Sequence, residues 1–171
     1  MVMKILLFGK NGQVGWELQR SLAVLGEVTA VDWDGTEHCG DFANTEGVLA
    51  TVRALQPDVI VNAAAHTAVD KAESEPERAR VLNATTPGQI ALEAARLGAW
   101  LIHYSTDYVF DGQGTEPWQP DCKDYKPLNV YGQTKLEGEL AVSQTLEKYF
   151  IVRIAWVFGL NGKNFIRDFC L

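Results

Sequence analysis

Short apolar runs and longer amphipathic stretches alternate along the chain. Lys4-Ile5-Leu6-Leu7-Phe8 is apolar on both faces, which predicts a first strand buried on both sides. Val14, Leu18, Leu22 and Leu25 recur at i, i+4, i+8 and i+11, one stripe of a helix that Gly26 is expected to stop. Val28 to Val31 reads as a second strand ending at Asp32, and residues 33–43 as loop. Thr45 to Leu55 reads as a helix closed by Gln56-Pro57. Asp58 to Asn62 is a third strand, followed by Ala63-Ala64-Ala65, small enough for close backbone approach to a ligand. Helical stretches follow over about 68–83 and 87–97, with Pro87 in a first turn and Thr85 or Thr86 as its cap. Trp100 to Ser105 is a fourth strand, 106–129 a long polar loop, Tyr131 to Leu146 a helix and Phe150 to Ile154 a fifth strand. The last ten residues begin another amphipathic helix. This alternation predicts βαβ units in an α/β fold, a doubly wound parallel sheet.

A chain of 171 residues favours one domain, here residues 1–171. Its composition, 47% apolar and 22% charged, excludes disordered, collagen-like and coiled-coil classes. A net charge of -7 argues against nucleic-acid or anionic-membrane partners. A small anionic ligand remains open, because backbone amides bind phosphate without net positive charge. No apolar run is long enough to span a membrane, and the run to Phe8 ends at a glycine-rich turn without a cleavage signal. Cys39, Cys122 and Cys170 are odd in number and widely spaced, which predicts free thiols and a cytoplasmic location. His38, His66 and His103 lack metal-ligand spacing.

Gly9-Lys10-Asn11-Gly12-Gln13-Val14-Gly15 sits between a predicted strand and a predicted helix. Glycines in that context allow a tight turn and let a pyrophosphate approach the helix N-terminus. Asp32 ends the second strand and is placed to accept the hydroxyls of an adenine ribose while repelling a 2′-phosphate. No Arg or Lys between positions 33 and 52 offsets that repulsion, so NADH is expected to be preferred to NADPH.

Tyr131 and Lys135 stand at i, i+4 on a predicted helix and share a face. An ammonium near a phenol favours the phenolate, so Lys135 is expected to lower the Tyr131 pKa and ready it as a proton donor to a forming alkoxide. Thr106 lies at the C-terminal end of the fourth strand, where open α/β sheets bind ligands. Its hydroxyl suits a substrate carbonyl, with a plain helix or turn cap as the lesser alternative.

Taken together, the glycine loop, Asn62-Ala63-Ala64-Ala65-His66-Thr67-Ala68-Val69-Asp70, Ser105-Thr106-Asp107-Tyr108-Val109-Phe110 and Tyr131-x-x-x-Lys135 resemble the extended short-chain dehydrogenases/reductases. With Cys39-Gly40-Asp41-Phe42 and Pro127-Leu128-Asn129-Val130-Tyr131-Gly132, the chain is most similar to the dTDP-4-dehydrorhamnose reductase family. The resemblance implies a Rossmann-like sheet and hydride transfer from NADH or NADPH to the C4 ketone of dTDP-4-dehydro-L-rhamnose, giving dTDP-L-rhamnose for cell-surface polysaccharide. It implies that Gly9, Gly12, Gln13, Val14 and Gly15 line the cofactor pyrophosphate and that Asp32 holds the ribose. Asp41 and Phe42 would flank the adenine, and Ala64, Ala65, His66 and Tyr104 the middle of the cofactor. Tyr131 would be the proton donor and Lys135 would hold the nicotinamide ribose, with Thr106, Asp107 and Trp156 toward the sugar. Glu17 matches a position through which some members bind Mg2+ and form a homodimer.

Family members continue for more than a hundred further residues, so the chain is expected to be truncated before the C-terminal nucleotide-sugar domain and nearly inactive alone. Asp168 to Leu171 and loop 111–126 fit the family least well. Two other readings share the fold: a dinucleotide-binding regulatory subunit resembling that of methionine adenosyltransferase, and a nucleotide-sugar epimerase or dehydratase using Asp107.

Overall fold

The computed structural model describes residues 2–170, Cys170 by its backbone alone. Five strands form one sheet: β1 (Lys4–Phe8), β2 (Glu27–Val31), β3 (Val59–Asn62), β4 (Trp100–Thr106) and β5 (Tyr149–Ile154). All neighbours pair in parallel, in the order β2-β1-β3-β4-β5. The helices are α1 (Gln13–Leu22), α2 (Thr45–Leu55), α3 (Val69–Ser74), α4 (Pro76–Arg80), α5 (Thr86–Leu97), α6 (Val130–Thr145) and α7 (Phe165–Cys170).

The β1–β2 connection runs one way across the sheet, and every later one runs the other way. Right-handed crossovers then put α1 on one face and the later helices on the opposite face. The core follows that division. Leu18 and Leu22 of α1 pack with Ile5, Leu7 and Val61. On the other face Val48, Val52, Ile90, Ala94 and Val142 from α2, α5 and α6 cover Leu6, Phe8, Ile60 and Leu101. The strand order reverses between β1 and β3, and a crevice opens at such a point beyond the strands' C-terminal ends.

Four local expectations are corrected. Helix α1 ends at Leu22, and Leu25 is an exposed turn residue whose N–H meets the Leu22 carbonyl. Gly26 does not cap it; it lies so close to the Met3 carbonyl that a Cβ would sit 2.2 Å away. The stretch expected over 68–83 breaks at Glu75, ahead of Pro76.

Neither Thr85 nor Thr86 caps a new helix at Pro87, because a π turn over Val81–Thr85 joins α4 to α5. Pro87 has no N–H to give the Asn83 carbonyl four residues back, and the wider turn accommodates that loss. The Thr86 hydroxyl is free to bond the Phe42 carbonyl at 2.8 Å. The freed Asn83 carbonyl presses on α6 at Gly138, where a Cβ would lie 2.1 Å from it.

The long segment after β4 is also anchored. Asp107–Val109 forms a 3-10 turn. Phe110 stacks on Trp118, and Arg153 of β5 reaches the Tyr125 hydroxyl at 3.0 Å while forking onto Glu139 of α6. That fork holds the Arg153 guanidinium charged far above the ordinary range. Cys39 and Cys122 are free thiols, and the side chain of Cys170 lies outside the described residues. Among the described residues no helix is long and apolar enough to cross a membrane.

Candidate active site

A cleft of about 1010 Å³ runs along the C-terminal ends of the strands. That is the upper end of small-molecule pockets, room for an extended ligand. Gly9 opens the loop after β1 with φ +84°, and a Cβ there would lie 2.7 Å from the Ala63 backbone. The first turn of α1, with Gly12 at its cap, has no acidic residue, and among the described residues no side chain accepts from its N–H groups. Those N–H groups and the helix dipole form a cradle for an anion.

Of the residues singled out above, Gly9, Gly12, Gln13, Val14, Asp32, Asp41, Phe42, Ala64, Ala65, Tyr104, Thr106, Asp107, Tyr131, Lys135 and Trp156 all border this cleft. Gly15 and His66 do not. Gly15 is buried where a Cβ would lie 1.9 Å from the Gly9 carbonyl, so it packs the loop on its helix. His66 is turned away, its Nε2 3.7 Å from the Glu75 carboxylate. Its backbone N–H and carbonyl are clasped by Asn83, which also bonds Thr134 of α6. Glu17 lies on α1 and pairs with Arg20 at 2.7 Å, outside the cleft. Among the described residues no three His, Cys, Asp or Glu side chains gather to hold a metal.

Asp32 is buried, and both its oxygens already accept backbone bonds: Oδ2 from Asn11 and Oδ1 from Trp33, each at 2.8 Å. It ties the glycine loop to the end of β2. Each oxygen keeps a second lone pair for a ligand hydroxyl. The Gln13 side chain is tied as well, to Lys163 and Asn164 of the segment after β5.

At the other end α6 brings Tyr131 beside the end of β4. Asn129 caps α6 by accepting the Gly132 N–H at 2.7 Å, and Glu73 accepts the Val130 N–H at 2.8 Å. A Cβ at Gly132 would lie 2.3 Å from the Tyr108 carbonyl, so glycine permits this approach. Tyr131 packs edge-on to Tyr108 with centroids 5.6 Å apart. Thr106 serves as the turn cap, accepting the Tyr108 N–H, and its hydroxyl lies 3.1 Å from Asp107.

The expected tuning of Tyr131 is corrected. Burial pushes the phenol above its usual value, with the Thr106 hydroxyl opposing. Lys135 is buried and donates to the Tyr104 carbonyl at 2.7 Å. Burial lowers its own pKa to about 8, against the pull of Glu139.

Several bordering residues were not anticipated. Trp33, 71% exposed, follows Asp32 and was within reach of the strand-end argument. Arg78 and Leu82 reach the cleft only because of the α4–π turn geometry, which has no local sequence signal.

Strand order and cleft position define a Rossmann-like doubly wound α/β domain with its ligand site at the topological switch point. Residues 3–170 match the RmlD substrate binding domain family, and the chain belongs to that family. It is 59% identical over 165 residues to dTDP-4-dehydrorhamnose reductase of Escherichia coli (strain K12), covering 96% of this chain and 55% of that protein. The enzyme of Salmonella typhimurium is 60% identical with the same coverage. The dTDP-4-dehydrorhamnose reductase structure from Clostridium acetobutylicum superimposes with a TM-score of 0.89 at 41% identity, covering 97% of this chain and 57% of that one. The Bacillus anthracis enzyme in complex with NADP gives 0.90 at 35% identity, covering 98% and 58%. The chain thus spans about half the length of the curated relatives it matches.

Proposed function

We propose that residues 1–171 are one domain, the cofactor-binding half of a nicotinamide-dependent reductase acting on the C4 ketone of dTDP-4-dehydro-L-rhamnose. The observation that carries this reading is the single cleft shared by the uncapped α1 N-terminus, Asp32 and the Thr106–Tyr131–Lys135 group. The residues fit the dinucleotide. The α1 cradle and Gly12 suit its pyrophosphate, Asp32 and Phe42 its adenosine end, and Lys135 its second ribose. When bound, the reduced nicotinamide supplies the hydride.

The chain's own groups do the rest. The Thr106 hydroxyl, which donates to Asp107 at 3.1 Å in this structure, turns to donate to the ketone oxygen when substrate is bound. Tyr131, held protonated by burial, donates its hydroxyl proton to that oxygen as it becomes an alkoxide. The buried carboxylate of Asp32 disfavours a 2′-phosphate, so NADH binds more tightly than NADPH, and both enter.

The chain spans 55% of its reductase relatives, so the reading assigns dinucleotide binding to this chain and turnover to a form carrying the remaining length. Titration calorimetry with NADH and NADPH tests the first, and NADH oxidation with dTDP-4-dehydro-L-rhamnose the second. Tyr131→Phe is expected to lose about 10²–10⁴-fold in turnover while binding NADH unchanged. Absence of saturable binding by the parent chain overturns the reading, and normal turnover by the phenylalanine variant overturns the role of Tyr131.

A further inference from the structure

Next to the cleft residues Ala63 and Tyr104 in the chain lies a buried polar pair from adjacent strands. Asn62 ends β3 and is register-paired with His103 of β4. Both are buried, His103 completely. The Asn62 amide nitrogen lies 3.0 Å from His103 Nδ1, and Asn62 Oδ1 accepts the Ala64 N–H at 3.0 Å. Because Oδ1 faces a backbone donor, the amide NH2 must face the imidazole. Nδ1 is then the acceptor and the proton sits on Nε2.

We propose that His103 is a positioning residue for the cofactor-facing turn: its Nδ1 fixes the orientation of the Asn62 amide, and Asn62 in turn holds Ala64 under the glycine loop. This rests on the reading of the cleft as a dinucleotide site. An apolar side chain at 103 leaves the buried Asn62 NH2 without an acceptor, and the amide is then held by its bond to the Ala64 N–H alone. The turn is then held less firmly at the point where Ala63 and Ala64 abut Gly9, 2.7 Å from where a Cβ would be.

Two further observations support the assignment. Nε2 has no partner among the described residues, so the bond to Asn62 is the one polar contact that the buried ring makes there. Burial and the nearby Lys135 ammonium hold the imidazole neutral, the form that can accept at Nδ1. Lys135 itself is tied to the carbonyl of the next residue, Tyr104. The same short stretch of β4 therefore anchors the Ala64 turn on one side and the Tyr131 helix on the other.

The test combines three proteins and three readouts. Nitrogen-15 spectra of the parent chain should show Nδ1 unprotonated and Nε2 protonated, without titration between about pH 5 and 8. His103→Leu should remain folded and bind NADH about tenfold more weakly, the effect of one unsatisfied buried donor. It should also lose the downfield shift and slow exchange of the Ala64 amide. His103→Gln, whose side-chain oxygen can accept from Asn62, should recover most of the affinity and the Ala64 signature. A protonated Nδ1, an unchanged affinity in a folded His103→Leu, or a glutamine variant as weak as the leucine one would overturn the proposal. If the leucine variant does not fold, the spectra and the glutamine variant still decide. If the parent chain binds no dinucleotide, the reading of the cleft fails, while the tautomer and the Ala64 amide still report on His103.

Discussion

On one face of the sheet α2, α5 and α6 bury Leu6, Phe8, Ile60 and Leu101 almost completely. On the other, α1 alone covers β1 and its neighbours, and the β4–β5 end stands open. Ile102 and Tyr104 pair with Phe150 and Val152 there, and Phe150 is 59% exposed. Trp100 stacks on Phe150 with centroids 5.6 Å apart, two aromatic rings sheltering each other. The difference is topological before it is chemical. Three of the four crossovers run in one direction, and a fixed handedness sends their helices to one side. The chemistry then follows the cover. Glu93, His103, Lys135 and Glu139 are all buried on the helix-rich side, where partners can be supplied. Arg53 and Arg96 meet Glu93, and Arg153 meets Glu139.

The sharpest test of this contrast compares phenylalanines from the two faces. Phe8 is fully buried and packs edge-on to Phe42 with centroids 5.2 Å apart. Phe8→Ala is expected to cost about 3–5 kcal/mol in urea unfolding, the range for a large aromatic cavity. A loss below about 1 kcal/mol would mean that the helix-covered face does not carry the stability assigned to it.

A good part of this arrangement is legible in the sequence, and the reason differs by element. β1 announces itself because an unbroken apolar run has no solvated face. The glycine loop and the Tyr131–Lys135 pair are legible because their geometry depends on spacing within a single turn or helix. The end of α1 is not, since Leu25 extends the apolar stripe in sequence yet lies exposed. The π turn before Pro87 is equally hidden: a proline near two threonines reads as a helix start, and only the packing of Asn83 on Gly138 makes the continuous form favourable. Asn62 and His103 were 41 positions apart until the strand register placed them side by side.

The second test asks what burial of charge costs on the covered side. Lys135 has its pKa lowered from 10.5 to about 8, first by burial. A depressed folded-state pKa means that the unfolded chain binds the proton more tightly. The stability linked to this group is therefore full above about pH 10.5 and is lost as pH falls toward 8. At pH 7 the loss is complete. Lys135→Met removes the charge but also the bond to the Tyr104 carbonyl, so the net gain at pH 7 is expected to be about 2 kcal/mol. The advantage over the parent should shrink as pH approaches 10. A gain independent of pH would trace the effect to packing instead of charge.

The smallest effect belongs to the open face. Phe150 projects from an edge strand, and its loss removes little area that folding had taken from water. Phe150→Thr keeps a β-branched side chain suited to a pleated surface, at the cost of the stack on Trp100. Its stability is expected to stay within about 0.5 kcal/mol of the parent, as for surface substitutions away from special features. Self-association is the property that should move. An uncovered edge with adjacent aromatic groups is a template for pairing between chains. Sedimentation at increasing concentration should therefore show less association for Phe150→Thr than for the parent chain. A loss of stability comparable to that of Phe8→Ala would show instead that the face is packed in solution, and the asymmetry between the two sides of the sheet would have to be withdrawn.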